Sequence, residues 1–229
     1  MTEAAKPFEE DGAKGQAGEP RALPQWVIDS MIRPATGLVS RAFWRITFEG
    51  REHIPAPPGG LVIAANHQTY FDPFWISVGF DRPIRYLAWN ELFKRPLAAK
   101  PLELLGAWPL VIDRGNPTAY RRSLQWLRKG GAVMIFPEGG RSGADGELAR
   151  FKTGAARLAL EAGVPILPVT IRGGHRVWPR GQRLPRLGRV EIVIHPPRKL
   201  TPLPSEDARR CAQRETEELA AIIKSELNQ

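Results

Sequence analysis

The stretch "LVIAANHQTYFDPF", Leu61 to Phe74, decides how the rest of the chain is read. Its opening run, Leu61 to Ala65, is apolar and ends abruptly in a polar cluster, the pattern of a short buried strand. Pro73 has no backbone N–H to give to a sheet, but its fixed φ suits the first turn of a helix, so a helix is expected to start there with Asp72 as its N-cap. Strand, polar turn and helix in that order make the first half of a βα unit.

The same order recurs downstream. Apolar runs at 84–88, 109–112, 132–136, 166–171 and 190–194 alternate with helix-like patterns at 73–80, 90–105, 117–129 and 152–162. Alternation of this kind predicts an α/β fold with a mostly parallel central sheet flanked by helices. A last amphipathic helix is expected over about 205–227, with Ser205 as its N-cap.

Upstream, residues 1–24 are polar and rich in Gly, Pro and Glu, and are expected to be a disordered tail. Residues 25–48 carry apolar positions at three-to-four spacing, interrupted by Pro34, and read as two short amphipathic helices. With Trp26, Trp44, Arg33, Arg41 and Arg45 at their flanks, these helices suit either a bilayer interface or a cap on the core. Residues 49–229 then form one main domain, since 229 residues at 42% hydrophobic content support one substantial core.

The formal charge is +9, and because the first 24 residues carry five acids against three bases, the remainder carries +11. A basic body implies anionic partners: phosphate-bearing substrates, acidic lipid or nucleic acid. Much of that charge lies in "RGGHRVWPRGQRLPRLGR", Arg172 to Arg189, six arginines without an acid, which reads as an exposed loop anchored by Trp178, Leu184 and Leu187. Cys211 is the single cysteine, so neither an intramolecular disulfide nor a cysteine metal cluster is expected. No window reaches the ~20 apolar residues of a membrane span, and the N-terminus lacks the apolar centre of a signal peptide. The expectation is a protein of the cytoplasmic side, in solution or on a membrane surface.

Three polar clusters each follow a strand candidate: Asn66-His67 through Asp72, Asp113-Arg114, and Pro137-Glu138-Gly139-Gly140-Arg141. In open α/β sheets ligands bind at the carboxyl ends of the strands, so the three can share a cleft. A continuous helix would set His67 and Asp72 about 140° apart, whereas a turn closed by the helix at Pro73 folds one onto the other. A carboxylate on one ring nitrogen leaves the other free to take a proton from a hydroxyl. Taken alone, the pair favours the plainer reading of turn and cap residues. Arg114 and Arg141 shift the balance, because two guanidinium groups beside the Gly139 and Gly140 amides form a receptor for phosphate. Glu138 has two candidate roles, holding a substrate hydroxyl or steadying an arginine. No nucleophile elbow, P-loop or dinucleotide fingerprint is present, and His53, His175 and His195 stand apart from carboxylates, so no metal site is expected.

These clusters resemble the motifs of the glycerolipid acyltransferases typified by lysophosphatidate acyltransferase. Asn66-His67 followed by four residues and Asp72 matches the first motif, and "GAWPLVIDR" (106–114) the second. Phe136-Pro137-Glu138-Gly139-Gly140-Arg141-Ser142 with Phe151, Lys152 and Gly154 matches the third, and "VPILPVTI" (164–171) the fourth. The resemblance implies transfer of a fatty acyl group from acyl-CoA or acyl-carrier protein to a lysophospholipid hydroxyl, with His67 as base, Asp72 orienting it, and no covalent acyl-enzyme or cofactor. It implies Arg114, Arg141 and Lys152 at the acceptor phosphate, Glu138 and Gly139 lining the acceptor site, an apolar groove for the acyl chain, and an anionic membrane surface as partner. Gly140 stands where Thr or Ser is customary and Trp89 where a lysine is common, which leaves the acceptor headgroup open. A transacylase without a thioester donor, using the same residues, and a non-catalytic basic module for membrane or nucleic acid are the alternatives.

Overall fold

Residues 22–89, 93–94, 96–110 and 117–228 are described by a computed structural model. Among them seven strands form one sheet in the order β1-β7-β6-β2-β5-β3-β4. These are β1 (Thr47–Glu49), β2 (Leu61–Ala65), β3 (Ile84–Trp89), β4 (Ala107–Leu110), β5 (Ala132–Ile135), β6 (Ile166–Arg172) and β7 (Glu191–Ile194). Every pairing is parallel except that of β6 with β7. The predicted α/β class with a mostly parallel sheet is therefore what the chain adopts.

The helices are α1 (Gln25–Val27), α2 (Arg33–Trp44), α3 (Asp72–Val78), α4 (Pro96–Leu104), α5 (Pro117–Arg128), α6 (Gly154–Ala162), the single turn α7 (Gly174–Val177) and α8 (Ala208–Leu227). β2 explains the layering, since all five of its residues are fully buried, as expected of a central parallel strand covered on both faces. Leu61, Ile63 and Ala65 point into a core closed by Trp44, Trp75, Ile76 and Phe80 from α2, α3 and the turn after it. Val62 and Ala64 point into a second core filled by α5, α6 and α8 through Leu127, Leu158, Leu219 and Ile223. Truncating a side chain such as Trp75 to Ala is expected to cost roughly 3–5 kcal/mol.

The N-terminal segment corrects one expectation. Instead of two helices broken at Pro34, α1, a π-helical turn (Ile28–Ile32) and α2 run on without a break. The Arg33 amide bonds to the Ile28 carbonyl, five residues back, and this wider turn delivers Pro34 to the start of regular α-helix, where its missing N–H costs nothing. The face that α2 turns inward is Gly37, Ser40 and Trp44, while Leu38, Val39 and Phe43 are exposed. Gly37 permits this packing, because a Cβ there would sit 3.2 Å from Val78 Cγ1. The boundary expected at residue 48 falls within β1, a strand not foreseen from the sequence, which pairs with β7.

Other boundaries move by a few residues. β4 is Ala107–Leu110 where a strand over 109–112 was expected, and 111–112 lie outside the described residues, as does the tail over 1–21. The last helix begins at Ala208, capped by Asp207, whose carboxylate accepts the Arg210 amide at 2.7 Å. Ser205 cannot take that role, since it lies two residues further out at φ 66°.

Candidate active site

β2 and β5 are neighbours, so the polar turns that follow them meet at the carboxyl edge of the sheet. Asn66 ends β2 and bridges to β6, donating from Nδ2 to the Ile171 carbonyl (3.0 Å) and accepting the Ile171 amide at Oδ1 (2.7 Å). His67 is thereby held at a defined height above the sheet.

Asp72 is fully buried and lies 2.8 Å from His67 Nδ1 through Oδ2. It is the first residue of α3, not its N-cap; its carboxylate turns back over the preceding loop instead of toward the helix amides. There Oδ2 also accepts the Gln68 amide (2.6 Å) and the Thr69 amide (2.7 Å), while Oδ1 accepts the Thr69 hydroxyl (2.6 Å). Since every partner of this carboxylate is a donor, the proton between the pair is assigned to His67 Nδ1. The neutral ring then carries a lone pair on Nε2, which has no hydrogen-bond partner among the described residues. The ring stacks on Phe136 at 4.1 Å between centroids and 19° between planes, and the side chain is 18% exposed. One face is packed, one nitrogen is held, and the other is left for chemistry.

The turn after β5 grips the same histidine through its backbone. Glu138 Oε1 accepts the His67 amide at 2.7 Å, and Oε2 accepts the Ser142 hydroxyl (3.1 Å) and the Ala149 amide (2.9 Å). Ser142 returns the contact, donating its amide to the His67 carbonyl (2.7 Å), while its single hydroxyl proton is shared between that carbonyl (3.0 Å) and Glu138 Oε2. Burial pushes the Glu138 carboxyl above its ordinary pKa, opposed by those same three donors and by the nearby imidazole. Both Glu138 oxygens are thus occupied by protein donors.

Gly139 has φ +75°, a left-handed conformation that favours glycine, and the Lys152 side chain lies over it, its Nζ 2.8 Å from where a Cβ would stand. Arg141 lies with Cζ 3.8 Å from the centroid of Tyr70, and its buried Nη1 has no hydrogen-bond partner among the described residues. Arg114 lies outside the described residues. The structure therefore brings His67, Asp72, Glu138, Gly139, Arg141 and Lys152 to one strand edge. Among the described residues, no group of three or more His, Cys, Asp or Glu could hold a metal ion.

A family model described as Acyltransferase matches residues 45–172, more than half of the chain. The chain belongs to the acyltransferase family. This acyltransferase-family chain is 34% identical over 183 residues to a 1-acyl-sn-glycerol-3-phosphate acyltransferase of Pseudomonas aeruginosa, covering 77% of its own length and 68% of that protein. It is 30% identical over 158 residues to a chloroplastic 1-acyl-sn-glycerol-3-phosphate acyltransferase of Arabidopsis thaliana, covering 68% of its own length and 44% of that protein. The chain thus spans from under a half to about two thirds of these curated relatives. Its fold superposes on the crystal structure of the 1-acyl-sn-glycerophosphate (LPA) acyltransferase PlsC from Thermotoga maritima with a TM-score of 0.71 at 26% identity, covering 89% of this chain and 80% of that one.

The acyltransferase edge holds four contributors absent from the sequence-derived site: Thr69, Tyr70, Phe136 and Ser142. Thr69 and Tyr70 fall among the four unnamed residues between His67 and Asp72, so the motif's spacing gives no sign of them. Ser142 stands at the end of the third motif, where its neighbour Arg141 draws the eye. The arginine loop also departs from expectation. Trp178 is an anchor, packed against Tyr70 and Phe71, but Leu184 and Leu187 are 74% and 75% exposed. Arg172 belongs to β6 and is engaged with Glu191 and Glu226, both at 2.8 Å.

Proposed function

We propose that this chain transfers a fatty acyl group from an acyl thioester, acyl-CoA or acyl-carrier protein, to the free hydroxyl of 1-acyl-glycerol-3-phosphate, giving phosphatidic acid. The observation that carries the reading is the His67 imidazole, held at Nδ1 by the saturated Asp72 carboxylate with Nε2 unpartnered among the described residues. In the reaction the acceptor oxygen attacks the thioester carbonyl carbon as Nε2 takes its proton. The tetrahedral intermediate collapses with cleavage of the C–S bond, and the departing thiolate recovers the proton from the imidazolium. Asp72 balances the charge of that imidazolium and keeps the ring from turning. No acyl-enzyme forms in this scheme.

Arg141, with its unpaired buried donor, and Lys152 bind the acceptor phosphate, joined by Arg114 on the strength of its motif. Glu138 and Ser142 act one step back, fixing the His67 main chain, because their polar groups already have protein partners. Gly139 gives the turn its left-handed bend beside Lys152. The relatives named for this activity support the acceptor.

The acceptor is a lipid, and the surface around the site suits a bilayer. Among the described residues no helix is long and apolar enough to cross a membrane. The outward face of α2, with Leu38, Val39 and Phe43, adjoins the arginine loop, where Trp44 Nε1 donates to the Arg186 carbonyl and the Val190 amide to the Trp44 carbonyl. Exposed Leu184 and Leu187 among arginines complete a surface for the anionic cytoplasmic face of a membrane, at ~1 kcal/mol per basic residue near the surface.

The test is to supply purified protein with labelled acyl-CoA or acyl-carrier protein and a panel of lysolipids, and to identify the product by mass. Phosphatidic acid from lysophosphatidate, abolished in His67→Ala, is the expected result. Acylation of no lysolipid and no glycerol phosphate with either donor overturns the reading.

A further inference from the structure

We infer that Tyr70 is the positioning residue for the phosphate-binding guanidinium of Arg141, acting through the face of its ring. The inference rests on the acyl-transfer reading for the identity of the phosphate, and on the structure for the geometry. Arg141 Cζ stands 3.8 Å from the Tyr70 ring centroid, direct face contact for a cation on a π system. A guanidinium stacked in that way has its N–H donors in its own plane, directed away from the ring, and Nη1 is buried without a hydrogen-bond partner among the described residues.

Gly140 has open space where a Cβ would stand, so the turn supplies no wall, while Ser142 on the other side of the arginine is tied to the His67 carbonyl. The ring itself is braced: Tyr70 meets Trp178 edge to face at 5.3 Å and 71°, and Trp178 donates from Nε1 to the Gln182 carbonyl at 2.9 Å. Tyr70 is half exposed, and its hydroxyl has no hydrogen-bond partner among the described residues. Its ring, not its hydroxyl, is what Arg141 uses. A long flexible side chain is thereby ordered before the anion arrives, which lowers the ordering cost of binding and leaves the His67 chemistry untouched.

The experiment measures acyl transfer to lysophosphatidate and binding of glycerol 3-phosphate by phosphorus NMR in the parent, Tyr70→Phe and Tyr70→Leu. Tyr70→Phe should match the parent. Tyr70→Leu should raise the lysophosphatidate KM and weaken glycerol 3-phosphate binding by roughly five- to thirty-fold, with kcat and donor KM within about twofold. In an Arg141→Gln background Tyr70→Leu should add nothing. Should the leucine variant not fold, Tyr70→Gln, polar at a half-exposed position, serves in its place with the same expectation.

Unchanged acceptor KM and phosphate binding in the leucine variant overturn the inference, as does equal loss in the phenylalanine variant, a kcat loss without a KM change, or additivity with Arg141→Gln. If the parent acylates nothing yet binds glycerol 3-phosphate in a ring-dependent way, acyl transfer falls and the positioning role stands. If the parent binds no glycerol 3-phosphate, the positioning role falls whatever the transfer assay shows.

Discussion

Two arginine settings in this protein differ in what their donors meet. On the C-terminal helix, Arg214 donates to Glu206 (3.0 and 3.1 Å), Glu218 (3.3 Å) and the Thr201 carbonyl (3.2 Å), and also to Glu215. Arg198 joins the same network through Glu215 and Glu218. At the strand edge, Arg141 meets an aromatic face and keeps a buried donor unpaired among the described residues. A guanidinium whose donors end on protein acceptors, chiefly carboxylates, closes a structure. One held by its flat face, with donors left over, is ready to receive an anion.

The largest expected effect lies beside the second kind of arginine. His67→Ala should lower kcat by about two to four orders of magnitude with little change in unfolding temperature, since a partly exposed ring is lost and a base with it. Asp72→Ala should show the same activity loss together with lower stability, because the buried Gln68 and Thr69 amides lose their acceptor at roughly 1–3 kcal/mol each. An Asp72→Ala protein as stable as the parent would remove the distinction drawn between these two residues.

Next comes the direct contrast. Arg141→Gln should raise the acceptor KM roughly ten- to a hundred-fold, the range of a lost charge-assisted bond, while the unfolding temperature stays near that of the parent. Arg214→Gln should leave both Michaelis constants alone and lower the unfolding temperature measurably, since the carboxylates of Glu206, Glu215 and Glu218 lose a shared partner. An exchange of those outcomes would break the comparison.

Two histidines outside the proposed chemistry supply a pH test. Burial lowers the pKa of His175, which lies against Gly146, and of His195, which pairs with the Thr170 hydroxyl at 2.8 Å. The unfolded chain, with its histidines near the usual value of about 6.5, then binds protons that the folded chain refuses. Stability from these two groups is complete above that value and is lost as pH falls through the lower folded values. Thermal scans from pH 7.5 down to about 5 should show this decline, and His195→Gln should flatten it. The smallest effect is expected of Gly140→Ser: the site is open, so stability should stay within about 0.5 kcal/mol and the acceptor KM within about twofold.

The residues of the candidate site were unevenly legible. Asn66, His67, Asp72 and Pro73 stand in one short segment, and a turn that pairs His67 with Asp72 follows from the proline's fixed φ and the strand before it, so local chemistry exposes it. Glu138 is the opposite case. Its charge and its neighbours suggest a ligand for substrate, but its oxygens close on the Ala149 amide and on the amide of His67, a partner far away in sequence whose proximity depends on β2 lying next to β5. β1 does not show in the sequence because three residues, two of them exposed, carry too little periodicity to read. Leu184 and Leu187 looked like anchors, since an apolar residue carries no mark of whether it will be covered.

By itself the sequence determined the alternation of strands and helices, the positions of the polar turns at strand ends, and the placing of a histidine and an aspartate within reach of one turn. Each of these depends on residues within a few positions of one another, where steric rules and periodicity act. Only the tertiary structure decided which strand ends are neighbours, that the apolar side of α2 looks outward, and that Tyr70 lies beneath Arg141. Those depend on contacts between segments distant in the chain, where any of several sheet orders would bury the same apolar runs and only the packed core selects one.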